Sequence, residues 1–294
     1  MPESSTNKVA WKAVRAGSTT KCLSQSVALI KEELKLMYDQ IVSVSIHDVK
    51  VHHGDIEVVV FYRTESTVDN SEPTESLDYK VIVRDEDVNW DTIQQEMLLN
   101  YANVPGQKLC SVGSTFRHVG EEKIAACWTM DGRQQKVFQH IIQSHEDNWE
   151  AMIANANDWL NTHLTPYEFN GVVMYEDEHP LAERESQTGM RNIIIYHTAG
   201  PSPKPLSEVT SELESKIYEI TTFQVPEAEG WEKVYGQVTQ KIADQGQVQG
   251  HHIATAITGD DDKKGYCTAI LVKYDLDMAQ SLADIRGGGC CTLF

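Results

Sequence analysis

Ile217-Tyr-Glu-Ile-Thr-Thr-Phe-Gln-Val225, closed by Pro226, opens the stretch that decides the fold, residues 217–274. Its β-branched and aromatic residues predict a strand, and proline, which offers no ladder donor, ends it. Glu227 and Glu229 suit the positive end of a following helix. Val234, Val238 and Ile242 recur every four residues beside Tyr235. That single apolar stripe predicts a helix over 231–244, with Gly246 as its stop. Residues 248–258 and 266–274 read as two further strands, joined into a hairpin by the polar turn 259–265. The unit is therefore β-α-β-β.

Three degenerate copies lie upstream. In one, 79–84 is the first strand, Asp85-Glu86-Asp87 the acidic helix entry, and Ile93, Met97 and Tyr101 the stripe of a helix opened by Trp90; 109–116 and 123–130 form the hairpin. In the next, 137–143, a helix opened by Trp149, and strands at 169–175 and 190–196 play the same parts. The first copy has 9–14 as its strand, a helix stripe of Val27, Ile30, Leu34, Met37 and Ile41, and a hairpin from 42–51 and 55–62. Trp90, Trp149 and Trp231 hold one place in three copies, with Leu23 near it in the first. A tryptophan at a helix start reads as a plug that closes the helix onto its sheet.

A repeat of about 50 residues buries too little surface to stand alone, so the repeats must associate. The expected architecture is α+β: four degenerate β-α-β-β repeats paired into two pseudo-symmetric halves, 8–133 and 134–277. Residues 1–7 form a polar tail and 278–294 a flexible one. The helix between first and second strands makes those strands parallel, with a right-handed crossover and the hairpin strand added antiparallel. That predicts antiparallel or mixed sheets with helices mainly on one face.

The 294 residues carry 25 Lys plus Arg against 44 Asp plus Glu, a net charge of −19. No basic patch is present to neutralise phosphates, which argues against nucleic-acid binding. The excess acid reads as a solvated face. Six cysteines, none in a CxxC pair, and a polar N-terminus without a secretory apolar run point to a reducing, cytoplasmic setting.

Candidate chemistry is sparse. Histidines 52 and 53 (His52, His53), His118 and His179 fall in the hairpin turns of the first three copies, where imidazoles and nearby carboxylates could converge on a metal; no HExxH or paired-Cys signature accompanies them. His251 and His252 sit side by side on a strand, so they face opposite sides of the sheet, and an inward one is a candidate general base. No nucleophile elbow, P-loop or dinucleotide fingerprint occurs, and the sequence names no reaction and no cofactor. The loop 64–76 is acidic and rich in Ser and Thr, and 199–205 is a proline-rich joint.

The sharpest motif is Gly287-Gly-Gly-Cys290-Cys291-Thr-Leu-Phe294. Cys291-Thr-Leu-Phe fits a C-a-a-X box with Phe at the last place, which favours a geranylgeranyl group. These eight residues resemble the tails of prenylated small GTPases, doubled cysteine included; the rest of the chain has no GTPase P-loop. The resemblance implies a lipid on Cys291, with palmitate on Cys290 as a second anchor, because one chain alone gives only marginal membrane binding. The expected function is a lipid-anchored interaction or scaffold protein at a cytoplasmic membrane face, binding a protein partner and able to gain avidity as a homodimer. The alternative is a small-molecule binder or enzyme with a pocket between paired sheets.

Overall fold

The computed structural model describes residues 8–50, 54–66, 68, 71–132, 136–145, 148–177, 190–208, 216–245, 249–259 and 265–275. The fold is α+β. In chain order the elements are β1 (Val9–Ala16), α1 (Thr19–Ala28), β2 (Ile41–Asp48), β3 (Ile56–Arg63), β4 (Asp78–Asp85), α2 (Trp90–Met97), β5 (Gln107–Arg117) and β6 (Glu122–Asp131). Then come β7 (Phe138–Ser144), α3 (Trp149–His163), β8 (Phe169–Asp177), β9 (Met190–His197), β10 (Tyr218–Pro226), α4 (Trp231–Gln245), β11 (Gln249–Gly259) and β12 (Gly265–Asp275). α2 and α3 start as their sequences direct: Asn89 and Asn148 accept from the backbone N–H of Asp91 and Ala151 at 2.7 and 2.9 Å, which satisfies donors the helix leaves free. α1 differs from expectation. It begins at Thr19 and gives way to a π turn that ends at Glu33, and Lys35 takes a left-handed backbone. Met37 and Ile41 therefore lie outside the helix; Met37 instead bridges to Pro73.

The strands form four three-stranded sheets, β1-β3-β2, β4-β6-β5, β7-β9-β8 and β10-β12-β11. Each places its third strand in the middle, antiparallel to both neighbours. First and second strands thus point the same way without touching in a ladder, and no parallel pair or mixed sheet arises among the described strands. The physical reason lies in the third strands. Val58–Val59–Val60–Phe61, Ile193–Ile194–Ile195–Tyr196 and Ala269–Ile270–Leu271–Val272 are buried throughout, as a strand covered on both faces must be.

What covers the two faces corrects the expectation of helices mainly on one. Strand period two divides each central strand between two cores. In β3, Val59 and Phe61 join α4, while Ile56, Val58 and Val60 join α1. In β6, Ala125 and Cys127 join α2, and Ile124, Ala126 and Trp128 join α1. In β9, Ile193 and Ile195 meet α3, and Ile194 and Tyr196 meet α2. In β12, Cys267, Ala269 and Leu271 meet α4, and Ile270 and Val272 meet α3. Every helix is thus packed between its own sheet and the next, and α4 closes the series by packing on the first sheet.

The second strands face inward. β2 contacts β5, β5 contacts β8, β8 contacts β11, and β11 contacts β2, so contact runs round all four units and does not single out two pairs. Each inner strand is the edge of its own sheet, with backbone groups that no ladder satisfies. Side chains from the neighbouring unit cover several of them. The Ser111 hydroxyl accepts from Val44 N–H and donates to Val44 O, both at 3.1 Å. Ser43 and Ser45 donate to Ile253 O at 2.6 and 2.7 Å. His252 Nε2 donates to Val172 O at 3.0 Å. Two glycines permit the close approach: a Cβ on Gly113 would lie 2.6 Å from Ile46 Cγ2, and one on Gly171 2.9 Å from His252 Cε1.

Candidate functional site

A dense buried polar cluster lies where the fourth unit meets the first. His47, near the end of β2, points across the seam into α4 and β11. Its ring stacks on Trp231 with centroids 3.7 Å apart. Its Nδ1 is 2.7 Å from Thr255 Oγ1 and its Nε2 is 2.8 Å from the Tyr235 hydroxyl. That hydroxyl donates to Glu57 Oε1 at 2.6 Å, and Arg15 Nη2 reaches Glu57 Oε2 at 2.9 Å. One proton arrangement satisfies every group. Tyr235 donates to the carboxylate, so its oxygen accepts from His47 Nε2–H, and Nδ1 is then free to accept from Thr255. A chain of donors that ends on a carboxylate is mutually reinforcing in a low dielectric.

The charges follow from this arrangement. Burial, outweighing the pull of Glu57, holds the His47 pKa below its ordinary value, so the ring is neutral near pH 7. Burial would raise Glu57, but the His47, Tyr235 and Arg15 hydrogen bonds overcome it and hold the carboxyl down at about 2. Burial, joined by the negative charge of Glu57, drives the Tyr235 phenol far up.

Thr255, His47 and Glu57 have the composition of a nucleophile–base–carboxylate relay. The Thr255 and His47 side chains are sealed from solvent. The space at the centre of the four inner strands, bordered by Ser45, Gly113, Val173 and Thr255, is too narrow for a water molecule. The cluster is a static lock that ties β2, β3, α4 and β11 together.

The tryptophans extend the same logic. Trp231 donates to Val49 O at 3.1 Å, and Trp90 stacks on Tyr175 with centroids 3.9 Å apart. Both plug onto the second strand of the following unit. Trp149 instead donates to Glu176 in its own unit, at 3.3 Å; Glu176 also accepts from Gly259 N–H at 2.8 Å, tying the third hairpin to the fourth.

His251 and His252 are both buried, so neither is a surface histidine. His252 is committed to Val172 O, and burial lowers its pKa to about 4. His251 has no hydrogen-bond partner on either ring nitrogen. Burial, then Arg63 and Lys273, lowers it to about 4. His118 lies against Asp48 of the first unit, Nδ1 to Oδ2 3.3 Å, with its N–H on the same oxygen at 3.1 Å. His52, His53 and His179, like Cys290 and Cys291, lie outside the described residues. Among the described residues no group of three or more His, Cys, Asp or Glu is placed to hold a metal.

One cluster escaped the sequence reading. Trp159 on α3 stacks on His140 (4.1 Å, 4° between planes) and lies 5.1 and 5.3 Å from His163 and His197. His163 is four residues from Trp159 on the helix, a spacing that signals one face. His140 and His197 come from neighbouring strands, which no spacing reveals. Burial and the neighbouring imidazoles lower His140 and bring His197 to about 4.

No described helix is long and apolar enough to cross a membrane. Compared with known protein families, curated proteins and solved structures, the chain gives no match.

Proposed function

We propose that the protein is a non-enzymatic interaction scaffold, recruited to the cytoplasmic face of a membrane by a lipid on Cys291, with acylation of Cys290 as the second anchor and a protein partner bound on its outer surface. The reading takes the four units as degenerate copies of one repeat, and their closed order as a rigid platform. The observation that supports it is how the inner polar groups are spent. His47, Thr255, Tyr235 and Glu57 bond one another, and His252 bonds a backbone carbonyl, beside a central space too narrow for water. A site between sheets needs an inward base facing open space, and these histidines face side chains. The net charge of −19 disfavours an anionic leaflet near the body, so the tail must supply the membrane affinity.

The test is intact mass of the protein expressed in eukaryotic cells, together with its partition between membrane and soluble fractions. A geranylgeranyl mass with loss of Thr292–Phe294, and membrane partition abolished by Cys291→Ser, are the expected results. An unmodified Cys291 in a chain shown by the same mass to end at Phe294 sinks the membrane part of the reading.

A further inference from the structure

We propose that the contact between the fourth and first units is an acid-sensitive latch, with His251 as its trigger: protonating this imidazole releases β11 and α4 from the first unit while the β2–β5 and β5–β8 contacts stay closed.

The geometry singles out His251. Strand period two puts it on the same face of β11 as Ile253 and Ile257, which enter the core formed by α4 and the first sheet. Its cross-strand neighbour is Lys273 on β12. Arg63 ends β3, in period with Val59 and Phe61 of the same core. Three basic side chains therefore gather at one end of the core that closes the ring. The charged groups acting on the imidazole are Arg63 from β3 and Lys273 from β12, and both are cations. Of the strand carboxylates, Glu219 on β10 is held at 3.5 Å by Lys273 and is largely exposed. Both imidazole nitrogens lack a hydrogen-bond partner. A buried polar group without partners costs stability, and a proton added there has no acceptor and meets two cations.

The same seam holds a contrast. His47 faces Glu57 from β3, Tyr235 and Trp231 from α4, Thr255 from β11, Arg15 from β1 and Asp48 beside it on β2. With Glu57 ionised 3.4 Å away, a proton on His47 is compensated in part, because the carboxylate opposes the burial that lowers its pKa. A proton on His251 is not. The two histidines share an interface and differ in what faces them, which makes His251 the group whose charging opens it.

The sign is fixed by linkage. The His251 pKa lies at about 4 when the seam is closed and near its ordinary 6.5 when open. The open form therefore binds the proton more readily, and the latch is fully closed above pH 6.5 and weakens as pH falls toward 4. Nothing in this depends on the lipid reading.

Hydrogen exchange of the intact chain, read by mass spectrometry and corrected for the intrinsic pH dependence of exchange, tests the proposal. Between pH 7.5 and 5, peptides from β11 and β2 should lose protection at least tenfold while β5 changes less than threefold. In His251→Leu the β11 and β2 loss should disappear, and in His252→Leu it should remain. Equal loss in all four inner strands, or an unchanged loss in His251→Leu, overturns the latch. Should His251→Leu fail to fold, the wild-type imidazole titration by NMR decides. A His251 midpoint that coincides with the β11 loss supports the trigger, and one that is separate from it refutes it.

Discussion

Two buried tyrosines should respond to the same substitution with opposite signs. Tyr235 and Tyr218 are each almost wholly buried. Tyr→Phe keeps the ring and removes only the hydroxyl, so packing changes little in either case. The Tyr235 hydroxyl donates to ionised Glu57 at 2.6 Å and accepts from His47 at 2.8 Å. A hydrogen bond to a charged group contributes about 1.5–3 kcal/mol, and a buried donor left without a partner costs about 1–3 kcal/mol. In Tyr235→Phe the His47 Nε2–H loses its acceptor, with Glu57 Oε1 3.4 Å away. A small shift of the ring recovers part of the loss, so the net should be about 2–4 kcal/mol. The Tyr218 hydroxyl has no hydrogen-bond partner. Tyr218→Phe removes an orphan, and the result should be neutral or stabilising by up to about 1 kcal/mol. Urea unfolding at pH 7.5, followed by tryptophan fluorescence, measures both. With a slope of about 3 kcal/mol/M, Tyr235→Phe should lower the midpoint by about 1 M, and Tyr218→Phe should leave or raise it. A loss below about 0.5 kcal/mol for Tyr235→Phe, or equal losses in the two variants, refutes the account of the lock.

Three further substitutions have expected outcomes. Gly113→Ala places a Cβ 2.6 Å from Ile46 Cγ2 and 3.3 Å from Ile46 N; the backbone atom cannot rotate away, so thermal or urea unfolding should show a loss of about 1–3 kcal/mol. Gly236→Ala, in α4 with open space around it, should stabilise by about 0.5–1 kcal/mol in the same assay. Glu57 has its pKa depressed from 4.5 to about 2, so its contribution is present above pH 4.5 and lost as pH falls toward 2. Glu57→Gln should therefore be less stable at pH 7, by about 1–3 kcal/mol. Its stability profile between pH 4.5 and 2 should be flatter than that of the wild type. A parallel profile would show that Glu57 is not held ionised by the lock.

The tryptophans show where sequence and tertiary structure part. The stripe Val234, Val238, Ile242 located α4 to within a residue, and the β-branched runs located the strands, because local periodicity is a property of the chain alone. The first helix was harder: Met37 and Ile41 continue its apolar spacing, but Lys35 turns the chain out, and a bridge to Pro73 takes over. Trp90 and Trp231 read correctly as plugs. Their partners, Tyr175 and His47, are in the next unit, and no spacing in the sequence names them.

By itself, the sequence determined the α+β class, the four successive strand–helix–hairpin units, a net charge of −19, and a Cys291-Thr-Leu-Phe stretch with the form of a lipidation box. Each rests on local pattern or composition. Only the tertiary structure decided the rest. The third strand sits in the middle of each sheet, covered on both faces, and each helix serves two sheets. His47 finds Tyr235 and Glu57 while His251 is left among cations, because contacts between residues some two hundred positions apart are set by which sheet faces meet, and period-two alternation offers two equally apolar faces to choose from.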